Sequence, residues 1–275
     1  MRLSVFLHHV REAARERGWT LPQALKWVRS LGISLVEVDG GGEEDCAALR
    51  AVLDGEGFGV SSVYRMFGWE RGELSREDLA LTDIAAALGS PLIMPIPALY
   101  PSAPDSPLCA REDECIAAAM RTYAAEARAR GLRVTIEDYD NARSPIATMA
   151  GMQRLLGQTE GLTVTLDTGN FFFSGEDVLE AQRLFAGRIA HVHLKDRLTE
   201  RPAGMPEDLG LRCPDGRTLW ACAVGDGVIP IGEVLRGLKA AGYDGTLTIE
   251  HFGAAAWAET IARSAENVRR LTGDV

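Results

Sequence analysis

Eight short apolar or alternating segments recur along the chain: LSVFL, SLVEVD, VSSVY, PLIMPIP, LRVTIED, LTVTLD, IAHVHLKD and TLTIEH. Stretches of helical periodicity separate them, over Glu12–Ser30, Arg76–Leu88, Glu112–Arg130, Ser144–Leu156, Glu176–Phe185, Ile231–Ala241 and Ala255–Leu271. Glycines stand just past several of these stretches, at Gly32, Gly89, Gly131, Gly157, Gly187 and Gly242, where a left-handed residue closes a helix. Strands alternating with helices predict parallel pairing through crossovers. Eight such units predict one closed (β/α)8 TIM barrel over residues 1–275.

The polar positions inside these strands carry the next step. In VTIE, Val134 and Ile136 point one way and Thr135 and Glu137 the other, because side chains alternate along a strand. LTIE repeats the design with Leu247 and Ile249 against Thr248 and Glu250, and TVTLD sets Thr163, Thr165 and Asp167 against Val164 and Leu166. A parallel strand buried on both faces reads as a nearly continuous apolar run. A small-polar face ending in a carboxylate therefore predicts a barrel interior that leads to a site at the C-terminal ends of the strands. His191, His193 and Lys195 share one parity and are expected to face the same interior.

Glu137, Asp167, His193 and Glu250 offer three carboxylates and one imidazole. That oxygen-rich set suits a divalent ion, manganese first with magnesium or cobalt beside it, ahead of zinc. Any one of these residues alone reads equally well as a polar group at a strand end; four at four strand ends favour a metal centre. His191 is expected to orient a ligand from behind or to be a hydrogen-bonded core histidine. Lys195 either holds a substrate oxygen or joins an internal ion pair, and Asp196, of opposite parity, braces the loop. Arg65 and Arg197 are candidates to grip a carboxylate or phosphate, or make surface salt bridges. His8, in phase with Ser4 and Phe6, is expected to line the pocket, with His9 outward. Phe6, Tyr64, Phe67 and Trp69 would wall an apolar substrate edge or join the core. Glu37 reads as a structural salt bridge, and Gly225-Asp226-Gly227 as a turn as readily as a phosphate loop. The aperiodic segment beyond HLKD is long for a compact domain and predicts a lid over residues 198–224, with PALYPSAPDSP as a second wall.

Hydrophobic residues make up 46% and charged residues 25% of the 275, enough for a sizeable core. The formal charge of -10 argues against nucleic acid as partner and leaves small polar substrates open. No apolar run approaches the ~18 residues of a membrane span, and the N-terminus lacks a secretory pattern; a cytoplasmic protein is expected. The five cysteines lack CxxC spacing, so neither a disulfide framework nor a zinc knot is indicated. Self-association stays open.

Over about residues 132–251 the motifs IEDYDN, LDTGN, HVHLKD and GDGVIPIGEVLRGLKAAGYDGTLTIEH resemble the xylose isomerase-like barrel superfamily of sugar isomerases and epimerases. That superfamily includes ketose 3-epimerases, hydroxypyruvate isomerases, inosose and dehydroshikimate dehydratases, and abasic-site nucleases. The resemblance implies Glu137, Asp167, His193 and Glu250 as metal ligands, with Glu137 and Glu250 doubling as acid and base. A metal-stabilised ene-diolate then underlies isomerisation or epimerisation of a sugar or related polyol. A dehydratase of a cyclic polyol or keto-acid is the alternative, in which one carboxylate is the base and a departing hydroxyl is protonated. Asn170 resembles the position held by histidine in the epimerases; it can bind a sugar hydroxyl but is no equivalent proton carrier. The nuclease reading needs a further histidine where this chain has Val228, and a non-catalytic barrel is disfavoured by the intact ligand set.

Overall fold

The computed structural model describes residues 1–42, 45–69, 71–102 and 106–273. The chain opens with strand β1 (Arg2–Phe6) and helices α1 (Leu7–Arg17) and α2 (Leu21–Ser30). It continues through β2 (Leu35–Asp39), α3 (Cys46–Gly55), β3 (Gly59–Phe67), α4 (Arg76–Leu88), β4 (Leu92–Pro97), α5 (Cys109–Ala129), β5 (Arg133–Glu137) and α6 (Met149–Gln158). Then come β6 (Thr163–Asp167), α7 (Asn170–Phe173), α8 (Val178–Phe185) and β7 (Ile189–Lys195). Three short strands follow, β8 (Arg197–Leu198), β9 (Leu211–Arg212) and β10 (Thr218–Ala221), before α9 (Ile231–Ala240), β11 (Thr246–Glu250) and α10 (Trp257–Thr272). Eight strands close into a parallel barrel in the order β1-β11-β7-β6-β5-β4-β3-β2, which is the (β/α)8 architecture expected.

The period-2 pattern decides what each strand buries. Val134, Ile136, Val164, Leu166, Val192, Leu194, Leu247 and Ile249 are 0–3% exposed and pack outward beneath the helices; such burial stabilises by roughly 1.5–3 kcal/mol per side chain. The opposite parity fills the interior with small polar groups that satisfy one another. Ser4 and Ser61 hydroxyls meet at 2.8 Å, Thr135 and Thr165 at 2.8 Å, and Thr248 reaches His191 at 3.0 Å. Register then aligns the mouth: Asp167 lies beside His193, and Glu250 beside Lys195.

Several boundaries differ from the sequence reading. The helix expected over 12–30 is two, because Gly18 at φ 67 closes α1 in the left-handed region and Thr20 forms a capping box with Gln23 that opens α2. Helix α3, begun by the Asp45 carboxylate accepting from Ala48 N–H at 2.9 Å, has no counterpart among the periodic stretches of the sequence. Gly32, Gly89, Gly131 and Gly242 do take positive φ, whereas Gly157 lies inside α6 and Gly187 in a short 3-10 turn.

The lid expected over 198–224 is not irregular. Strands β8, β10 and β9 pair antiparallel into a small sheet, and Cys213 and Leu219 pack with Phe173 into a satellite core. Arg217 stacks 4.5 Å over the Phe172 ring and donates to the Phe172 carbonyl at 2.9 Å, tying the sheet to α7. Of the second wall, PALYPSAPDSP, residues 103–105 lie outside the described residues. The cysteines form no disulfide, and among the described residues no helix is long and apolar enough to cross a membrane.

Candidate metal centre and active site

Four ligand atoms, one each from Glu137, Asp167, His193 and Glu250, lie within 4.8 Å of one another at the C-terminal ends of β5, β6, β7 and β11. All four side chains are buried. His193 Nδ1 is in hydrogen-bond contact with Glu137 Oε1 and lies 3.1 Å from Glu250 Oε2. That second contact lacks hydrogen-bond geometry, and Asp167 Oδ2 likewise accepts no hydrogen bond despite burial. Buried carboxylate oxygens converging on one point without donors of their own fit a divalent cation, since unpaired buried charge is costly.

Asp167 is held by its other oxygen, which accepts from Gly169 and Asn170 N–H, both at 2.7 Å. Lys195 threads across Gly169, where a Cβ would come within 2.9 Å of its side chain. Its ammonium then donates to Glu250 Oε1 and Asn170 Oδ1, both at 2.6 Å, and lies 3.5 Å from Asp167 Oδ2. Lys195 thus lines the cavity from within an internal ion-pair network. Asn170 is locked at both ends, its Nδ2 donating to the Asp138 carbonyl at 2.6 Å.

Electrostatics follow from burial among like charges. Burial pushes Glu137 up to about 8, helped by Glu250 and Asp167 against His193. Asp167 rises to about 6, burial again outweighing Lys195. Burial would raise Glu250 too, but Lys195 and His193 pull it down to about 2. Behind the ligands, Glu37 Oε2 sits 2.8 Å from His191 Nε2 and 3.0 Å from His193 Nε2, all three groups fully buried. Glu37 is held ionised against burial by the two imidazoles. Burial lowers His193, but Glu137 and Glu37 raise it well above the usual imidazole range; an Nε2–H held by Glu37 would leave Nδ1 to exchange its proton for a divalent ion, and His191 shares the same acceptor. Glu37, read from sequence as a structural salt bridge, is buried against His191 and His193 and placed to orient the His193 ring. Glu37→Gln is expected to weaken divalent-metal binding by roughly 10–100-fold in calorimetry with the far-UV spectrum unchanged; unaltered affinity would contradict this role.

The other candidate residues divide. His8 is corrected: β1 ends at Phe6, the helical turn rotates successive residues by ~100° rather than alternating them, and His8 is exposed while His9 is buried. Arg65 is corrected as well, since β3 runs to Phe67 and its parity turns Tyr64 and Met66, not Arg65, into the cavity. Arg197 is buried and committed, donating to Asp140 Oδ2 at 3.2 Å and to the Phe252 carbonyl at 3.4 Å. Asp196 braces the loop as expected, accepting from Gly225, Gly227 and Ile229 N–H at 2.8, 2.9 and 3.1 Å, which uses up the amides a phosphate would need. Phe67 and Trp69 stack at 4.6 Å in the core.

A cavity of about 300 Å³ is lined by two of the four ligands, Glu137 and Glu250. Its polar side carries Glu137, Glu250, Asn170, Lys195, Asp140 and Asp39; the last two were missed, although Asp39 shares the parity of Glu37 at the end of β2. Among the described residues, none of 198–224 lines it.

Beside the mouth, His251 N–H donates to His9 Nε2 at 3.1 Å and the two rings stand 4.3 Å apart. Burial lowers His251 to about 3, and burial with the neighbouring His251 lowers His9 well below its usual range. The unfolded chain binds protons near pH 6.5 that the folded chain refuses, so this contribution is full above that pH and is lost as pH falls toward 3. Denaturant unfolding of His251→Asn is expected to show a flatter decline between pH 6.5 and 4 than wild type; an identical slope would count against it.

The family model for xylose isomerase-like TIM barrels matches residues 25–271. Inosose dehydratase of Geobacillus thermodenitrificans is 36% identical over 107 residues, 38% of this chain and 36% of that protein, so the match spans about a third of the relative's length. A crystal structure of the IOLI protein with a bound zinc atom superposes with TM-score 0.73 at 13% identity, covering 100% of this chain and 99% of that one. The probable 3-DHS dehydratase of Bacillus anthracis gives 0.73 at 13% identity, with 98% of each chain covered. At these identities the structural likeness is one of fold.

Proposed function

Since the chain belongs to the xylose isomerase-like TIM barrel family, we propose that it is a divalent-metal-dependent dehydratase of a keto-polyol, with Glu137, Asp167, His193 and Glu250 as ligands. The observation that carries this reading is the convergence of three carboxylates and one imidazole beneath a cavity into which Glu137 and Glu250 both open. A divalent ion held there supplies polarisation of a carbonyl and its adjacent hydroxyl. Either glutamate is placed to remove the proton next to that carbonyl. The C–O bond to the neighbouring hydroxyl then breaks, and the proton is delivered to the departing oxygen, so that water leaves and no co-reactant is consumed. Lys195, held beside Glu250, meets a substrate oxygen and offsets the negative charge that develops.

Two observations favour dehydration over the isomerase or epimerase expected from the sequence. The curated relative is named inosose dehydratase. Asn170, where the epimerases carry histidine, is bonded at both ends of its amide and moves no proton. Mass spectrometry of a panel of cyclic and open-chain keto-polyols incubated with manganese-loaded protein tests the proposal. A metal-dependent product lighter by one water is expected; a product of unchanged mass and altered configuration would return the assignment to epimerase.

A further inference from the structure

The cavity has two unlike walls. Strands β5, β7 and β11, with α7, present Glu137, Lys195, Glu250 and Asn170 to it, whereas β1, β3, β4 and the turn after β11 contribute Phe6, Tyr64, Met66, Met94, Ile96 and Phe252. Met66 and Phe252 are 44% and 38% exposed, large apolar groups left open at the rim where a bound molecule would cover them. Asp39, at the end of β2, is the acidic group beside this wall, its Oδ1 already accepting from Gly41 N–H at 2.8 Å.

The charge inventory points the same way. Among the described lining residues Lys195 is the cation, and it is held on the reacting side by Glu250, Asn170 and Asp167. Arg197, the nearest guanidinium behind it, is tied to Asp140. Arg65 is turned away, 5.9 Å over the Phe67 ring. Away from the metal ligands and Lys195, a substrate carboxylate or phosphate would meet Asp39 and Asp140, with no further cation among the described lining residues to pair it.

We infer that the substrate is uncharged and carries one edge without free hydroxyls, at which hydrogen or a methyl ether replaces OH and packs on Met66, Ile96 and Phe252. This deepens the dehydratase reading and rests on it for the placement of the reacting edge on the polar wall. Beyond the reach of Tyr64 and Asp39, a ring OH set against Met66, Ile96 and Phe252 would meet side chains that offer it no partner, whereas a capped edge meets matching surface.

Non-reacting polyols make the test independent of turnover. Calorimetry on manganese-loaded wild type would compare an inositol with its positional mono-O-methyl and monodeoxy derivatives, with quinate as the carboxylate-bearing ring and an inositol monophosphate as the phosphate-bearing one. At least one capped derivative is expected to bind roughly 10–100-fold more tightly than the parent, and both anions more weakly than it. Met66→Gln is expected to erase most of the preference for the capped ring, because its amide offers the parent's hydroxyl a partner and the capped edge none. Parent affinity equal to every derivative, tighter binding of either anion, or no measurable binding throughout would overturn the inference. The dehydratase reading fails separately, by a product of unchanged mass, with the order of affinities intact.

Discussion

Glu137→Gln and Glu250→Gln are each expected to lower turnover by roughly 10²–10⁴-fold while divalent metal remains bound. Glutamine keeps an oxygen in the place of the ligand atom but cannot take a proton, so the two duties assigned to these side chains come apart. The surroundings make the exchange tolerable for the fold: both side chains are buried among acidic neighbours, and a neutral amide removes a charge that burial disfavours at Glu137. Glu250→Gln also loses the charge that Lys195 pairs with at 2.6 Å, so its loss should be the larger. Rates measured beside metal content by elemental analysis decide the matter. Near wild-type rates in both variants would remove the acid and base roles even with the metal in place.

Manganese at a hundredfold excess over its dissociation constant is expected to stabilise the protein by about 2.7 kcal/mol, a rise of roughly 5–10 °C in melting temperature for a chain of this size. Asp167→Asn should lose most of that rise. Its Oδ1 can still accept from Gly169 and Asn170 N–H, so the variant loses a charge rather than a brace. The metal-free proteins should rank in reverse at pH 7. A buried carboxyl raised from 3.8 to about 6 favours the fold only while protonated, and its cost grows as pH climbs above its unfolded value. Metal-free Asp167→Asn is therefore expected to melt above wild type. Asp226→Asn, whose carboxylate pairs with Arg263 on the surface, serves as the control with the full rise. An equal rise in the Asp167 and Asp226 variants would place the ion elsewhere.

The ligand strands were legible because their information is local. Val134 to Glu137 and Leu247 to Glu250 alternate cleanly, and parity alone points the carboxylates inward. The same rule failed where the backbone changed period. Extending strand parity past Phe6 reversed His8 and His9, because α1 starts at Leu7 with no loop between. The small sheet of β8, β9 and β10 was invisible since strands of two to four residues are too short to show alternation. Glu37 could be placed inside but not paired: its partners lie 154 and 156 residues away, and only barrel closure brings β2 and β7 across from each other. The apolar wall had a signal that went unused, Met66 and Met94 sharing strand faces with Tyr64 and Ile96.

Crystals grown with manganese and measured at its absorption edge test the account's central claim most directly. One anomalous peak per chain is predicted, about 2.0–2.3 Å from carboxylate oxygens of Glu137, Asp167 and Glu250 and from His193 Nδ1. A map without that peak, or with the ion bound away from those four side chains, would contradict it.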